Sequence, residues 1–271
     1  MTKTDTKKVI YVYADWKGLC SPLLMGKLHV ELLRGKEIFS FNYDNDWLQS
    51  EYAQQLDPDL QLYAGLHYLN DTNKSNFGLF LDSSPDRWGR LLMKRREAAY
   101  ARSEKRQEQT LYETDFLLGV YDEHRMGALR FKLEKEGAFL NDNKDFASPT
   151  WTSIRELEQI SLKLESDDFI NDADYLKWLN MLIAPGSSLG GARPKASVLD
   201  QNKNLWIAKF PSKNDDTNIG AWEMVTHELA VSSGINMAEA TAKKFTSNHH
   251  TFLTKRFDRT NLGERIHFAS A

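Results

Sequence analysis

The segment Pro185-Gly186-Ser187-Ser188-Leu189-Gly190-Gly191-Ala192-Arg193-Pro194-Lys195 decides how this chain is read. Three glycines and two serines fall within six positions, between an apolar helical run and an apolar strand. Glycine lets the backbone take positive φ and approach a ligand closely. Successive exposed backbone N–H groups form an anion cradle. Three templates compete for the segment. A P-loop needs G-x-x-x-x-G-K-[ST]. Gly186 and Gly191 have that spacing, but Ala192 and Arg193 stand where the lysine and hydroxyl belong. A nucleophile elbow, G-x-S-x-G, is matched by Gly186 to Gly190. An elbow follows a strand and precedes a helix. Here the order is reversed, so a serine esterase using Ser188 is the third-ranked reading. A kinase-like glycine loop needs a lysine on a later strand and an acid on the next helix. The chain has candidates for both.

The lysine is Lys209. Ala196 to Leu199 reads as a strand, Asp200 to Asn204 as a turn, and Leu205 to Phe210 as the returning antiparallel strand. Alternation puts Leu205, Ile207 and Lys209 on one face. The acid is Glu223, on a helix predicted over 219–233 and stopped by Gly234. Glu223 and His227 share a face, beside an apolar stripe of Trp222, Val225 and Leu229. Glu228 competes with Glu223, and spacing alone leaves both open.

Four blocks together resemble the bacterial HipA toxin kinases, which are serine/threonine protein kinases of toxin–antitoxin systems. They are Ser187 to Lys195, Trp206 to Phe210, Glu223 with Glu228-Leu229-Ala230, and Lys255-Arg256-Phe257-Asp258-Arg259. Two upstream stretches, Pro85-Asp86-Arg87-Trp88-Gly89-Arg90 and Gly127-Ala128-Leu129, are similar to the family as well. The resemblance implies ATP binding by Lys209, Glu223, Gly190, Gly191, Phe252, Lys255 and Phe257, the last three near adenine. It implies autophosphorylation at Ser188, with Ser187 next. ATP and magnesium are the implied cofactors. The implied partners are a DNA-binding antitoxin and a protein substrate such as an aminoacyl-tRNA synthetase. The family's catalytic and metal-binding aspartates lie in a helical lobe after the Arg-Phe-Asp-Arg block. No such pattern follows Arg259, so no catalytic or metal residue is expected in this chain. The chain alone is expected to be inactive, with a separate C-terminal lobe as a further partner. If it were active, Asp115, Asp122 or Asp258 would have to serve. The competing class is a non-catalytic regulatory half of a split system.

Composition sets the bounds. The chain has 271 residues, 41% hydrophobic and 27% charged, with net charge −3. These values fit soluble globular protein and argue against a whole-chain nucleic-acid footprint. Cys20 is the only cysteine, which fits a reducing cytoplasm. No signal peptide or membrane-spanning run is read in it. The predicted fold is α+β. An N-terminal antiparallel sheet-and-helix domain (1–150) precedes the small lobe of a HipA-like kinase (151–271). Strands are expected near 9–13, 25–32, 37–43 and 126–131. Residues 134–149 read as a linker, and 153–165 and 173–183 as helices. A basic helix is expected from Ser84 as N-cap and Pro85 as first residue, packed through Trp88, Leu91 and Leu92. Its arginines are expected to be mostly solvated, with nucleic-acid contact the alternative. His29 reads as a surface residue. Asp122 with His124 is a weak metal pair.

Overall fold

The computed structural model describes residues 7–71, 73–147, 149–166, 170, 172, 174–183 and 191–270. Two antiparallel sheets each support a hydrophobic core. The first is built from β1 (Lys7–Ala14), β2 (Leu23–Leu33), β3 (Lys36–Tyr43), β4 (His67–Tyr68) and β5 (Leu129–Lys132), in the order β4-β3-β2-β1-β5. Period-two patterning sets its faces: Ile10, Val12, Leu28 and Phe41 are all fully buried on one side. Arg34 and Gly35 both take positive φ in the two-residue β2–β3 turn, the geometry that matches strand twist. Helices α1 (Asn45–Gln49), α2 (Gly78–Asp82) and α4 (Glu113–Leu118) bring Trp47, Phe80 and Leu117 onto this face.

The second sheet contains β6 (Lys195–Leu199), β7 (Leu205–Lys209), β8 (Ala240–Lys243) and β9 (Thr251–Lys255), in the order β6-β7-β9-β8. Val198, Ala208 and Leu253 meet helices α3 (Arg87–Ser103), α5 (Ile154–Leu164) and α6 (Tyr175–Ile183) in one core. Thus α3 precedes the last strand of the first sheet in sequence yet packs in the second core. The alternate residues Ile207, Lys209, Phe252 and Thr254 face the other way. There α7 (Ile219–Ser232) lies against β8 and β9.

Several local expectations are corrected. The N-cap of α3 is Asp86, not Ser84: its carboxylate accepts from Gly89 N at 2.9 Å. Ser84 instead donates its hydroxyl to Phe80 O, so Pro85 stays outside the helix. Trp88 and Leu92 are buried, one helical turn apart, but Leu91 points outward and is 41% exposed. The arginines of α3 divide: Arg87 and Arg102 are exposed, as expected, whereas Arg90 and Arg95 are tied to neighbours. Arg90 forms a bidentate pair with Glu113, and Arg95 donates to the Leu164 carbonyl. Residues 134–149 are strapped to the first sheet in part: Leu140 bridges Phe131, and Phe139 stacks edge-on against Tyr13. Among the described residues, no helix is long and apolar enough to cross a membrane.

Candidate nucleotide cleft

Lys209 ends β7, and its register partner on β9 is Phe252. The Lys209 ammonium lies 5.4 Å from the Phe252 ring centroid and 2.6 Å from Glu223 Oε2. Both charged side chains are part-exposed, at 31% and 25%. Glu228, one position past His227, is exposed and reaches none of these groups. The choice between the two acids is therefore made by helix phase.

Two features hold α7 in that phase. Asn218 caps it, accepting from Ala221 N at 3.2 Å and from His250 N at 2.9 Å. Its amide also meets His250 Nδ1 at 2.7 Å, so one side chain fixes both the helix start and the residue before β9. Gly220 then lies so close to the strand that a Cβ would sit 2.0 Å from His250 O. Any larger residue would push the helix, and Glu223 with it, away from Lys209. One turn on, His227 Nε2 lies 2.7 Å from Ala238 O, tying the helix to the segment before β8.

Between these elements is a cleft of about 610 Å³. Lys209 and Glu223 stand beside apolar walls from Ile207, Trp222, Phe252 and Phe257, with Lys255 also on its lining. Five of the residues read as ATP-binding thus share one cleft: Lys209, Glu223, Phe252, Lys255 and Phe257. Gly191 is not on its lining. It takes φ +108°, and its carbonyl lies 3.4 Å from Lys195 Nζ. Gly190, Ser187 and Ser188 lie outside the described residues. The stripe of Trp222, Val225 and Leu229 faces outward, at 62%, 43% and 63% exposure. Its helical spacing was legible, but its solvent-facing placement was not.

The stem after the glycine segment is pinned at two points. Arg193 makes a bidentate pair with Asp215, with both contacts at 2.5 Å. Lys195 Nζ lies 2.5 Å from Asp86 Oδ2, and Trp88 Nε1 donates to Lys195 O at 3.0 Å. Sequence reasoning missed the Lys195–Asp86 pair. The available signal was a lysine opening an otherwise apolar strand.

Charges of the Arg256-Phe257-Asp258-Arg259 block divide between two tasks. Phe257 lines the cleft, whereas Arg256 and Asp258 are fully buried as a pair at 2.6 Å. Arg256 and Arg259 donate to backbone carbonyls of residues 123–127, and Asp258 accepts from Gly127 N at 2.8 Å. This block therefore bolts the second sheet to the first. Burial pushes the Asp258 carboxyl up, but Arg256 and Arg259 together hold it below its ordinary value. The alternative carboxylates are occupied. Asp115 accepts from Tyr112 N in a capping box, and Asp122 pairs with Arg130. Among the described residues, no three His, Cys, Asp or Glu side chains gather as a metal site. An apolar slot with a carboxylate-steadied ammonium at its side can hold a flat apolar group against its aromatic walls and an anionic group near Lys209.

An α+β fold with two antiparallel sheets and an internal Lys–Glu pair is thus the class of molecule. Residues 187–271 match the family model described as HipA-like C-terminal domain. Among solved structures, the fold is similar to a chain of the Shewanella oneidensis MR-1 toxin–antitoxin HipA, HipB and operator DNA complex. The TM-score is 0.51 at 20% identity, over 96% of this chain and 53% of that one. The chain therefore spans about half the length of that structure. No curated protein matches it by sequence. The terminal segment is HipA-like in sequence, and the whole is HipA-like in fold.

Proposed function

We propose that this chain is the nucleotide-binding part of a HipA-like serine/threonine protein kinase. The Lys209–Glu223 pair within the aromatic cleft carries the reading. Glu223 holds the ammonium in one orientation, so Lys209 meets the α- and β-phosphates of ATP without a search through rotamers. Phe252 and Phe257 flank adenine. ATP supplies the transferred phosphoryl group, and the residues of this chain bind and orient it. Magnesium would be held by carboxylates of a second lobe, which also accepts the proton of the acceptor hydroxyl. The outward stripe of Trp222, Val225 and Leu229 is an apolar surface suited to docking such a lobe. A DNA-binding antitoxin, as in the solved HipA–HipB–DNA complex, and an aminoacyl-tRNA synthetase substrate follow from the same reading, as does a cytoplasmic setting. Ser188 is the proposed autophosphorylation position, with Ser187 the alternate. A phosphate there adds nearly two negative charges to an anion cradle and would eject ATP phosphates.

The test is phosphotransfer from γ-labelled ATP by the 271-residue chain, alone and mixed with a separately expressed helical kinase lobe from a HipA protein. Transfer only in the mixture, lost with Lys209→Ala, is expected. Transfer by the chain alone that Lys209→Ala removes would overturn the two-lobe reading.

A further inference from the structure

A second cleft, also about 610 Å³, shares Lys255 and Arg256 with the first. It opens between the β6–β7 turn, the turn at Asp122–His124, and residues 259–265. Six cationic side chains line it: Arg130, Lys203, Lys255, Arg256, Arg259 and Arg265. Among the described residues, Glu123 is the one carboxylate on its lining. Behind the wall, three aspartates serve the arginines. Asp258 takes Arg256 and Arg259, while Asp122 and Asp15 both take Arg130. Arg265 has only long contacts to carboxylates, 3.8 Å to Asp15 and 3.6 Å to Asp122, while its Nη2 donates to the Asp122 carbonyl at 2.7 Å. Its side chain is 9% exposed, and its Nη1 has no hydrogen-bond partner among the described residues.

Six cations thus face four carboxylates. The side chains of Arg256, Arg259 and Arg265 are buried, Arg130 and Lys255 are half-buried, and Lys203 and Glu123 are exposed at the mouth. Burial and the neighbouring Arg256 and Arg265 push the Arg259 guanidinium down to about 9. A purely structural cluster gains nothing from surplus buried charge, because each unpaired ion costs desolvation energy. A ligand of at least two negative charges removes the surplus.

We propose that this cleft binds a small phosphate-bearing anion of the pyrophosphate class, held by Arg265 Nη1 and Lys203, with Arg259 adding positive charge from behind its own contacts to Asp258 and the carbonyls of residues 123–127. A guanidinium N–H donates a short, charge-assisted hydrogen bond to a phosphate oxygen. Asn202, Asn204, Thr260 and Asn261 add polar side chains around the opening. A walled cleft accepts a small polyanion better than a broad macromolecular surface. This site does not depend on the nucleotide reading of the first cleft.

The experiment is titration of the isotopically labelled full chain with sodium pyrophosphate at fixed ionic strength, followed by amide chemical shifts. Saturable shifts at Asn202 to Asn204 and Arg259 to Gly263 are expected. Lys203→Glu lies on an exposed turn and should weaken binding by about tenfold. Arg265→Gln should weaken it further, with circular dichroism verifying the fold. Absence of saturable shifts, or shifts only around Lys209 and Phe252, overturns the proposal. So does a response to duplex DNA of the same salt dependence with none to pyrophosphate.

Discussion

Lys195 and Lys209 sit opposite each other in the β6–β7 register, and each meets a carboxylate within 2.6 Å. Their surroundings differ. The Lys195–Asp86 pair is closed, with side chains 8% and 3% exposed, and it joins β6 to the N-terminus of α3. Lys209–Glu223 opens on the aromatic cleft. A closed ion pair has spent its charge on the fold, and removing one partner strands the other in low dielectric. An open pair keeps its charge available for a ligand and contributes little to stability. Similar chemistry on adjacent strands therefore divides into a closed structural bolt and a pair left open to a cleft.

Stability measurements separate the two most sharply. Lys195→Met should cost about 3–5 kcal/mol in urea unfolding, because Asp86 is left buried and unpaired. Lys209→Met in the same assay should cost no more than about 1 kcal/mol. Equal costs would erase the distinction. Closed charges should also write themselves into pH dependence. Burial, with Arg256, Arg259 and Arg265 adding to it, drives the buried His124 down from 6.5 to about 3. Its folded value is depressed, so the neutral ring favours the native state. That contribution is fully present above pH 6.5 and is lost as pH falls toward 3. Wild type should lose about 2 kcal/mol between pH 6.5 and 5 through this ring. The slope should flatten in His124→Gln; an unchanged slope would place the titrating group elsewhere. A smaller effect tests how the open pair is positioned. Asn218→Ala should cost about 1 kcal/mol through loss of the α7 cap. It should also broaden the side-chain signals of Glu223, since the same residue anchors His250.

How far these roles could be read from sequence depended on range. Lys209 and Glu223 lie 14 residues apart in adjoining elements, so strand alternation and helical spacing brought both to notice. Spacing could not choose Glu223 over Glu228, because that choice rests on the helix phase set by Asn218 and Gly220. Asp86 and Lys195 lie 109 positions apart, and no local periodicity links them. The same holds for Arg256, Asp258 and Arg259, which bond to a turn more than 130 positions earlier. Sequence showed the N-terminal strands readily because their apolar residues alternate. It misplaced the cap of α3 because Ser84 and Asp86 are both good caps, and the Ser84 hydroxyl is used by α2. The outward stripe of α7 resembles a core face, since periodicity records amphipathicity and not what covers it.

The central claim is that the cleft around Lys209 receives the phosphates and base of a nucleotide. The most direct measurement is an amide and tryptophan-indole shift titration of the 271-residue chain with ATP. Binding should be weak, with a Kd of about 1 mM or above, because in the proposed two-lobe arrangement a second lobe supplies the remaining contacts. The account predicts shifts at Ile207 to Lys209, Trp222 to His227 and Phe252 to Phe257, abolished by Lys209→Ala. ATP-induced shifts confined to other residues, or shifts at these residues that persist unchanged in Lys209→Ala, would contradict it.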